Sequence, residues 1–130
     1  MNKDVMIVDE LPEIGEISKE KVIGVGKSAI FYNNSEDAIE YLKGLKKGDF
    51  PTKYFVDLKL IGDMEGSETI YNFLKEEGVN LEGFYFTTGN LNRHDREILE
   101  RTSANYLLKV PLEIFSGNLE KILAGKSIKF

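Results

Sequence analysis

The sequence has no cysteine, no tryptophan and only three prolines. Without cysteine the chain can form no disulfide, thiol nucleophile or thiolate zinc site, so we expect it in a reducing compartment, the cytoplasm. Its apolar runs are far shorter than the roughly 20 residues that span a bilayer, and no signal-peptide segment follows the first residues. We therefore expect neither secretion nor membrane insertion.

An excess of positive charge is also missing. The chain has 17 Lys and Arg against 22 Asp and Glu, which gives a net charge of −5. Nucleic-acid binding depends on clustered positive charge, so we expect no direct contact with DNA or RNA. The length of 130 residues and 42% hydrophobic content fit one domain with its own core. We expect residues 1–130 to form that domain, with no attached output domain.

Five short apolar runs rich in β-branched and aromatic residues recur along the chain. Each is too short for a helix, so we predict five strands. The runs are Val5–Val8, Ala29–Tyr32 and residues 54–56, 84–86 and 106–108.

Segments with helical spacing of apolar residues separate these runs. Asn34 and Ser35 are typical capping residues before one helix, and Ser67 begins another that ends near Gly78. Two more are predicted from about Leu91 to Arg101 and from about Pro111 to Gly125. The apolar side of the last one is predicted to lie in the core; it comprises Ile114, Phe115, Leu119, Ile122 and Leu123.

The segment from Leu11 to Lys27 has helical spacing but contains three glycines. Gly15, Gly24 and Gly26 each disfavour a helix by about 1 kcal/mol relative to alanine. We therefore expect a short or frayed helix there. The alternation of five strands and five helices predicts an α/β fold with a parallel sheet covered by helices on both faces.

Polar side chains follow four of the five predicted strands. They are Asp9 and Glu10, Asp57, Thr87 and Thr88, and Lys109. Ligand sites in such sheets lie at the carboxyl ends of the strands. In a sheet of order 2-1-3-4-5, the second strand lies at an edge, which explains its uncharged end.

The residue types at these strand ends favour phosphoryl transfer. Three carboxylates repel one another unless a hard cation joins them, so we predict Mg²⁺ held by Asp9 and Glu10. Asp57 can then act as a carboxylate nucleophile that accepts a phosphoryl group. Lys109 can neutralise charge on the phosphoryl oxygens, and the Thr87 hydroxyl can donate a hydrogen bond to one of them.

Taken in order, these residues resemble the receiver domain of two-component response regulators, in particular its stand-alone chemotaxis type. The resemblance covers the whole chain. It is carried by residues 5–12 (VMIVDELP), 55–58 (FVDL), 64–66 (MEG), 86–88 (FTT) and 106–109 (YLLK).

This resemblance implies a flavodoxin-like receiver fold and a switch in a phosphorelay. Asp57 would accept a phosphoryl group from a histidine kinase or phosphotransfer protein, with Mg²⁺ held by Asp9, Glu10, Asp57 and the backbone carbonyl of Lys59. Thr87 and Tyr106 would then move, and the surface of the fourth helix, fifth strand and fifth helix would bind a downstream protein. Slow self-dephosphorylation, rather than enzymatic turnover, is implied.

Three positions depart from the family pattern. The loop after Asp57 lacks the usual proline and has one extra residue, and the side chain of Lys59 could reach either the phosphoryl group or Asp63. Val110 separates Lys109 from Pro111, so the family's cis bond is displaced or absent. Thr88 stands where Ala or Gly is usual.

These departures leave alternatives open. One is a pseudo-receiver that binds proteins without being phosphorylated. Another is a phosphatase-type hydrolase with Asp57 as nucleophile, which is disfavoured because Lys59 occupies the place of its second aspartate. Tyr106 could be only a core aromatic residue. His94 lies in a polar stretch, so we predict that it is exposed and outside the site.

Overall fold

The computed structural model describes residues 3–46, 48–60 and 66–126. Strands and helices alternate along the chain, with one short 3₁₀ helix before the fourth strand. The elements are β1 (Val5–Val8), α1 (Pro12–Gly24), β2 (Ala29–Tyr32), α2 (Ser35–Lys43), β3 (Lys53–Asp57), α3 (Gly66–Glu76), the 3₁₀ helix (Leu81–Gly83), β4 (Phe84–Thr88), α4 (Arg93–Thr102), β5 (Asn105–Leu108) and α5 (Leu112–Leu123).

The five strands form one parallel sheet in the order β2-β1-β3-β4-β5. This confirms the predicted class and strand order. All four residues of β1, at the centre of the sheet, are buried. That burial is why the sequence of β1 is apolar without alternation, as expected for a sheet with helices on both faces.

Alternate strand residues point into two separate hydrophobic cores. Val5, Ile7 and Phe55 pack with residues of α1 and α5 on one face. Met6 and Val56 pack on the other face, with residues of α2, α3 and α4. The period of two along each strand therefore assigns α1 and α5 to one side of the sheet and the other three helices to the opposite side.

Helix α1 corrects the expectation of a short or frayed helix, because it runs for 13 residues. Gly15 is buried, and a Cβ atom at this position would collide with the ring of Phe31 on β2. Packing of the helix against the sheet therefore requires a glycine here. Gly26 follows the helix with a φ of 79°, so it serves the turn rather than interrupting the helix.

The start of α2 and the end of α3 follow the predicted signals. Asn34 Oδ1 accepts a hydrogen bond from the Asp37 backbone N–H at 2.8 Å, and Asn92 caps α4 in the same way. Gly78 lies just after α3 in the left-handed region, with a φ of 76°. In α5 four of the five predicted core residues are buried, whereas Ile114 is 60% exposed, which corrects its assignment to the core.

Among the helices that the structure describes, none combines the length and the apolar character that a bilayer span requires.

Candidate functional site

The predicted site residues meet at the carboxyl edge of the sheet. Asp57 ends β3 and lies beside Thr87 of β4 in the sheet register. Two further bonds extend the sheet ladders past the strand ends. The Asp9 N–H donates to the Tyr32 carbonyl at 3.1 Å, and the Lys109 N–H donates to the Thr88 carbonyl at 2.8 Å. These bonds fix the backbones of Asp9 and Lys109 at the edge that also carries Asp57.

Lys109 links two carboxylates at this edge. Its Nζ lies 3.1 Å from Asp9 Oδ2 and 3.3 Å from Asp57 Oδ1. All three side chains are buried, with 8%, 2% and 4% of their surface exposed. Two negative charges and one positive charge therefore share a region with little solvent, and the group has a net charge of −1.

The charge imbalance changes the acidity of Asp57. Burial and, after it, the nearby charge of Asp9 raise the pKa of its carboxyl to about 6. Lys109 and the backbone N–H of Lys59 oppose this rise in pKa. Desolvation and repulsion from Asp9 raise the pKa of Asp57 by more than Lys109 lowers it. An additional positive charge would therefore stabilise the ionised carboxylates of the site.

The two aspartates have defined hydrogen bonds. Asp57 Oδ1 accepts from the Lys59 backbone N–H at 3.1 Å as well as from Lys109. Asp9 Oδ1 accepts from the Leu11 backbone N–H at 2.9 Å. No bond from the described residues reaches Asp57 Oδ2. Among the described residues, Oδ2 is therefore the carboxylate oxygen of Asp57 that accepts no bond.

A cleft of about 270 Å³ opens above Asp57. Its walls come from the loops that follow β1, β3, β4 and β5. The lining residues are Glu10, Leu11, Ile14, Asp57, Lys59, Gly89, Asn90, Lys109 and Val110. Glu10 and Lys59, both predicted to contribute to metal binding, thus lie in the same cleft as Asp57.

The two predicted switch residues lie next to each other in the sheet. Thr87 is buried and follows Phe86, which is in register with Tyr106 of β5. Tyr106 is half-buried and packs against the core on the α2, α3 and α4 face. Thr87 therefore lies directly beside Asp57, whereas Tyr106 lies one strand further away, on β5.

The side chains around the cleft can be compared with the ligands of a divalent-cation site. Within the described ranges no three acidic or histidine side chains are close enough together to form a metal site. The ammonium of Lys109 instead lies against Asp9 and Asp57. The donors near the cleft are nevertheless oxygen atoms, and the three acids Asp9, Glu10 and Asp57 outnumber Lys59 and Lys109 by one charge. This chemistry fits Mg²⁺.

A second polar cluster beside the cleft is not anticipated by the sequence. Asp95, in the first turn of α4, is only 1% exposed, although it lies in a stretch that reads as a polar surface. Its Oδ2 lies 3.4 Å from Lys59 Nζ and 3.2 Å from Thr88 Oγ1. The sequence does contain one signal for this position of Asp95, because an Asn followed three residues later by an acid is typical of the start of a helix. His94 is exposed, as predicted.

The departures from the family pattern have different outcomes. The Val110–Pro111 bond is cis, so the cis bond is present and displaced by one residue. Lys59 contacts Asp95 and Asn90, which neither of the two sequence alternatives for its side chain includes. Asp63 and the extra residue of the loop after Asp57 lie outside the described residues.

Comparison with known proteins identifies the fold. No protein-family model and no curated protein matches the chain. Among solved structures, a response regulator receiver protein from Burkholderia phymatum superposes with a TM-score of 0.72 at 18% identity, covering 97% of this chain and 98% of that chain.

Two further response regulators give similar agreement. The phosphorylated cyanobacterial phytochrome response regulator RcpA superposes with a TM-score of 0.75 at 16% identity, covering 94% of this chain and 91% of that chain. The Mn²⁺-bound form of response regulator Rcp1 superposes with a TM-score of 0.72 at 16% identity, covering 98% of this chain and 99% of that chain. The chain therefore has the fold of response regulator receiver domains.

Proposed function

We propose that this chain is a receiver switch that accepts a phosphoryl group on Asp57 and thereby changes a protein-binding surface. The observation that carries the proposal is the buried Asp57, whose Oδ2 accepts no bond from the described residues and whose Oδ1 lies 3.3 Å from Lys109 Nζ. A nucleophile needs a free oxygen, and a transferring phosphoryl group needs a nearby positive charge.

The proposed donor is a phosphohistidine on a kinase or phosphotransfer protein in the cytoplasm. Asp57 Oδ2 forms the new P–O bond as the P–N bond breaks, and the imidazole nitrogen leaves with the electron pair. Lys109 neutralises charge on the phosphoryl oxygens, and the Thr87 hydroxyl donates to one of them. The phosphorylated state of the similar regulator RcpA supports this assignment.

Mg²⁺ is the proposed cofactor, held by Asp9, Glu10, Asp57 and the Lys59 backbone carbonyl. When bound, it supplies further positive charge for the phosphoryl oxygens. The protein groups around it orient Asp57 and limit the access of water to the cleft. The Mn²⁺-bound state of the similar regulator Rcp1 supports a divalent cation here.

The proposed output is a population shift. Movement of the Thr87 hydroxyl toward the phosphoryl group leaves space on β4 into which the Tyr106 ring turns. The surface of α4, β5 and α5 then fits a downstream protein. A phosphoryl group can shift this equilibrium only by its differential contacts with the two states.

The pseudo-receiver alternative loses one of its two motivations. The insertion of Val110 between Lys109 and Pro111 does not carry Lys109 away, because its Nζ still reaches both Asp9 and Asp57. The other motivation, the altered loop after Asp57, falls on residues outside the described part of the chain. The contacts of Lys109 thus favour the phosphorylatable switch.

Phosphorylation by a small donor tests the function. With Mg²⁺ and acetyl phosphate, intact-mass spectrometry should show the addition of one phosphoryl group to the wild type and none with EDTA. Asp57→Asn should remain unmodified, because its amide is not a nucleophile. The exposed Asp37→Asn is the matched control and should be modified like the wild type. Equal modification of both variants would contradict the proposal.

Removal of one proposed ligand tests the metal assignment. Glu10→Gln should weaken Mg²⁺ binding by roughly tenfold or more, because a neutral amide is a poorer ligand for a hard cation than a carboxylate. Calorimetric or NMR titration measures the dissociation constant. Glu13→Gln, at an exposed position in the first turn of α1, should bind Mg²⁺ like the wild type. An unchanged constant for Glu10→Gln would remove Glu10 from the ligand set.

A further inference from the structure

The side chain of Lys59 is held beside the cleft by two residues of the β4–α4 region. Its Nζ donates a hydrogen bond to Asn90 Oδ1 at 2.9 Å and lies 3.4 Å from Asp95 Oδ2. The Lys59 side chain is 42% exposed, whereas that of Asp95 is 1% exposed. The pair therefore joins a solvent-facing ammonium to a buried carboxylate.

Asp95 has few other partners for its charge. Its Oδ1 is buried and has no hydrogen-bond partner among the described residues. The Thr88 hydroxyl has one proton, and the Asn90 carbonyl at 2.7 Å competes for it with Asp95 Oδ2 at 3.2 Å. In the described part of the chain, the cation that lies within ion-pair distance of Asp95 is Lys59. A buried carboxylate that loses such a partner destabilises its surroundings.

Lys59 is also attached directly to the proposed phosphorylation site. Its backbone N–H donates to Asp57 Oδ1 at 3.1 Å, and both residues line the same cleft. A phosphoryl group on Asp57 would bring more negative charge than a carboxylate and three acceptor oxygens. The Lys59 side chain therefore contacts one anion, Asp95, while the backbone of the same residue contacts the carboxylate that would carry another.

We propose that Asp95 and a phosphoryl group on Asp57 compete for the ammonium of Lys59, and that loss of Lys59 from Asp95 loosens the first turn of α4. This inference rests on the proposed function and adds to it a second route of signal transmission. The route runs through Lys59 and Asp95 to α4, separately from Thr87 and Tyr106. Asp95 acts through Lys59, so it is a positioning residue.

The position of Asp95 explains why the change would be confined to one end of the helix. The Asp95 N–H is capped by Asn92 Oδ1, and the Arg96 N–H donates to the Asn92 carbonyl at 3.1 Å. Further along α4, Ile98 is fully buried in the core. Displacement of Asp95 would disturb the capped first turn, while packing of Ile98 holds the rest of the helix.

Hydrogen exchange of the amides of residues 96–98 tests the competition. With Mg²⁺ and beryllofluoride, a mimic of the phosphoryl group, these amides should exchange about tenfold faster in the wild type, which corresponds to about 1.4 kcal/mol. Lys59→Met should cause a similar increase without beryllofluoride. The double variant Lys59→Met/Asp95→Asn should restore slow exchange, because the buried charge is gone. Lys75→Met, on the exposed side of α3, is the control and should leave these amides unchanged.

Fluorine NMR of bound beryllofluoride separates failure of this inference from failure of the proposed function. Binding without faster exchange in α4 would overturn the competition and leave the proposed function in place. No binding would overturn both. Unchanged exchange in Lys59→Met would show that Asp95 does not depend on Lys59, which also overturns the inference.

Discussion

Lys109→Met is expected to lower the free energy of unfolding by about 3 kcal/mol or more, because it leaves two buried carboxylates without their shared cation. Asp9 and Asp57 both contact Lys109 Nζ, and their side chains are almost fully buried. Methionine has a similar length and fills the same space, so the loss reports mainly on charge. The variant is also expected to lose most of its reactivity toward acetyl phosphate.

Urea unfolding in a buffer with EDTA measures the stability change for Lys109→Met. The matched control is Lys121→Met, which removes an exposed lysine from α5 and should change stability by less than about 0.5 kcal/mol. If the two variants unfold at the same midpoint concentration of urea, the contacts of Lys109 with the two aspartates do not stabilise the fold. That result would weaken the electrostatic description of the site.

Asp57→Asn is expected to have the opposite effect on stability. The pKa of Asp57 is raised from 3.8 to about 6, chiefly by burial and by Asp9, so the ionised side chain is costly in the folded state. A neutral amide of the same shape removes that cost. We expect the free energy of unfolding at pH 7 to rise by about 1 to 3 kcal/mol, while phosphoryl acceptance is lost.

The stability gain of Asp57→Asn should depend on pH. The folded state binds the Asp57 proton more tightly than the unfolded state, so the wild type loses stability as pH rises from about 4 to 6. The gain should therefore be largest above pH 6 and disappear below pH 4. Unfolding curves of both proteins across this range, in EDTA, provide the measurement. A gain that is constant with pH would show that ionisation of Asp57 is not its cause.

Opposite effects of these two substitutions would identify a site built for chemistry at the expense of stability. Lys109 compensates only one of the two carboxylates that it contacts, and the remaining negative charge is retained in a buried position. A fold selected for stability alone would not keep Asp57 ionisable there. Under the proposed function, this excess negative charge is balanced when a cation binds.

The sheet and the principal site could be predicted from the sequence because both depend on local patterns. Buried parallel strands are apolar on both faces, so runs such as Val5–Val8 stand out against the helices. Residues at the carboxyl ends of parallel strands necessarily share one edge of the sheet. This geometry brings Asp9, Asp57 and Lys109 together although they are far apart in sequence.

Features that depend on contacts between distant elements could not be predicted in this way. The propensity of Gly15 argues against a helix, and only its contact with Phe31 across the α1–β2 interface explains its presence. Ile114 has the spacing of a core residue, but α5 turns it outward. The pairing of Lys59 with Asp95 joins the loop after β3 to the first turn of α4, and the sequence does not specify the relative position of these two segments.

Chemical trapping at Asp57 tests the central claim most directly. The protein is incubated with Mg²⁺ and acetyl phosphate and then reduced with borohydride, which converts an aspartyl phosphate to homoserine. Peptide mass mapping then locates the modified residue. We predict homoserine at position 57 and an unmodified Asp9. Homoserine at another position, or none in a protein that is folded and saturated with Mg²⁺, would contradict the assignment of Asp57 as the phosphoacceptor.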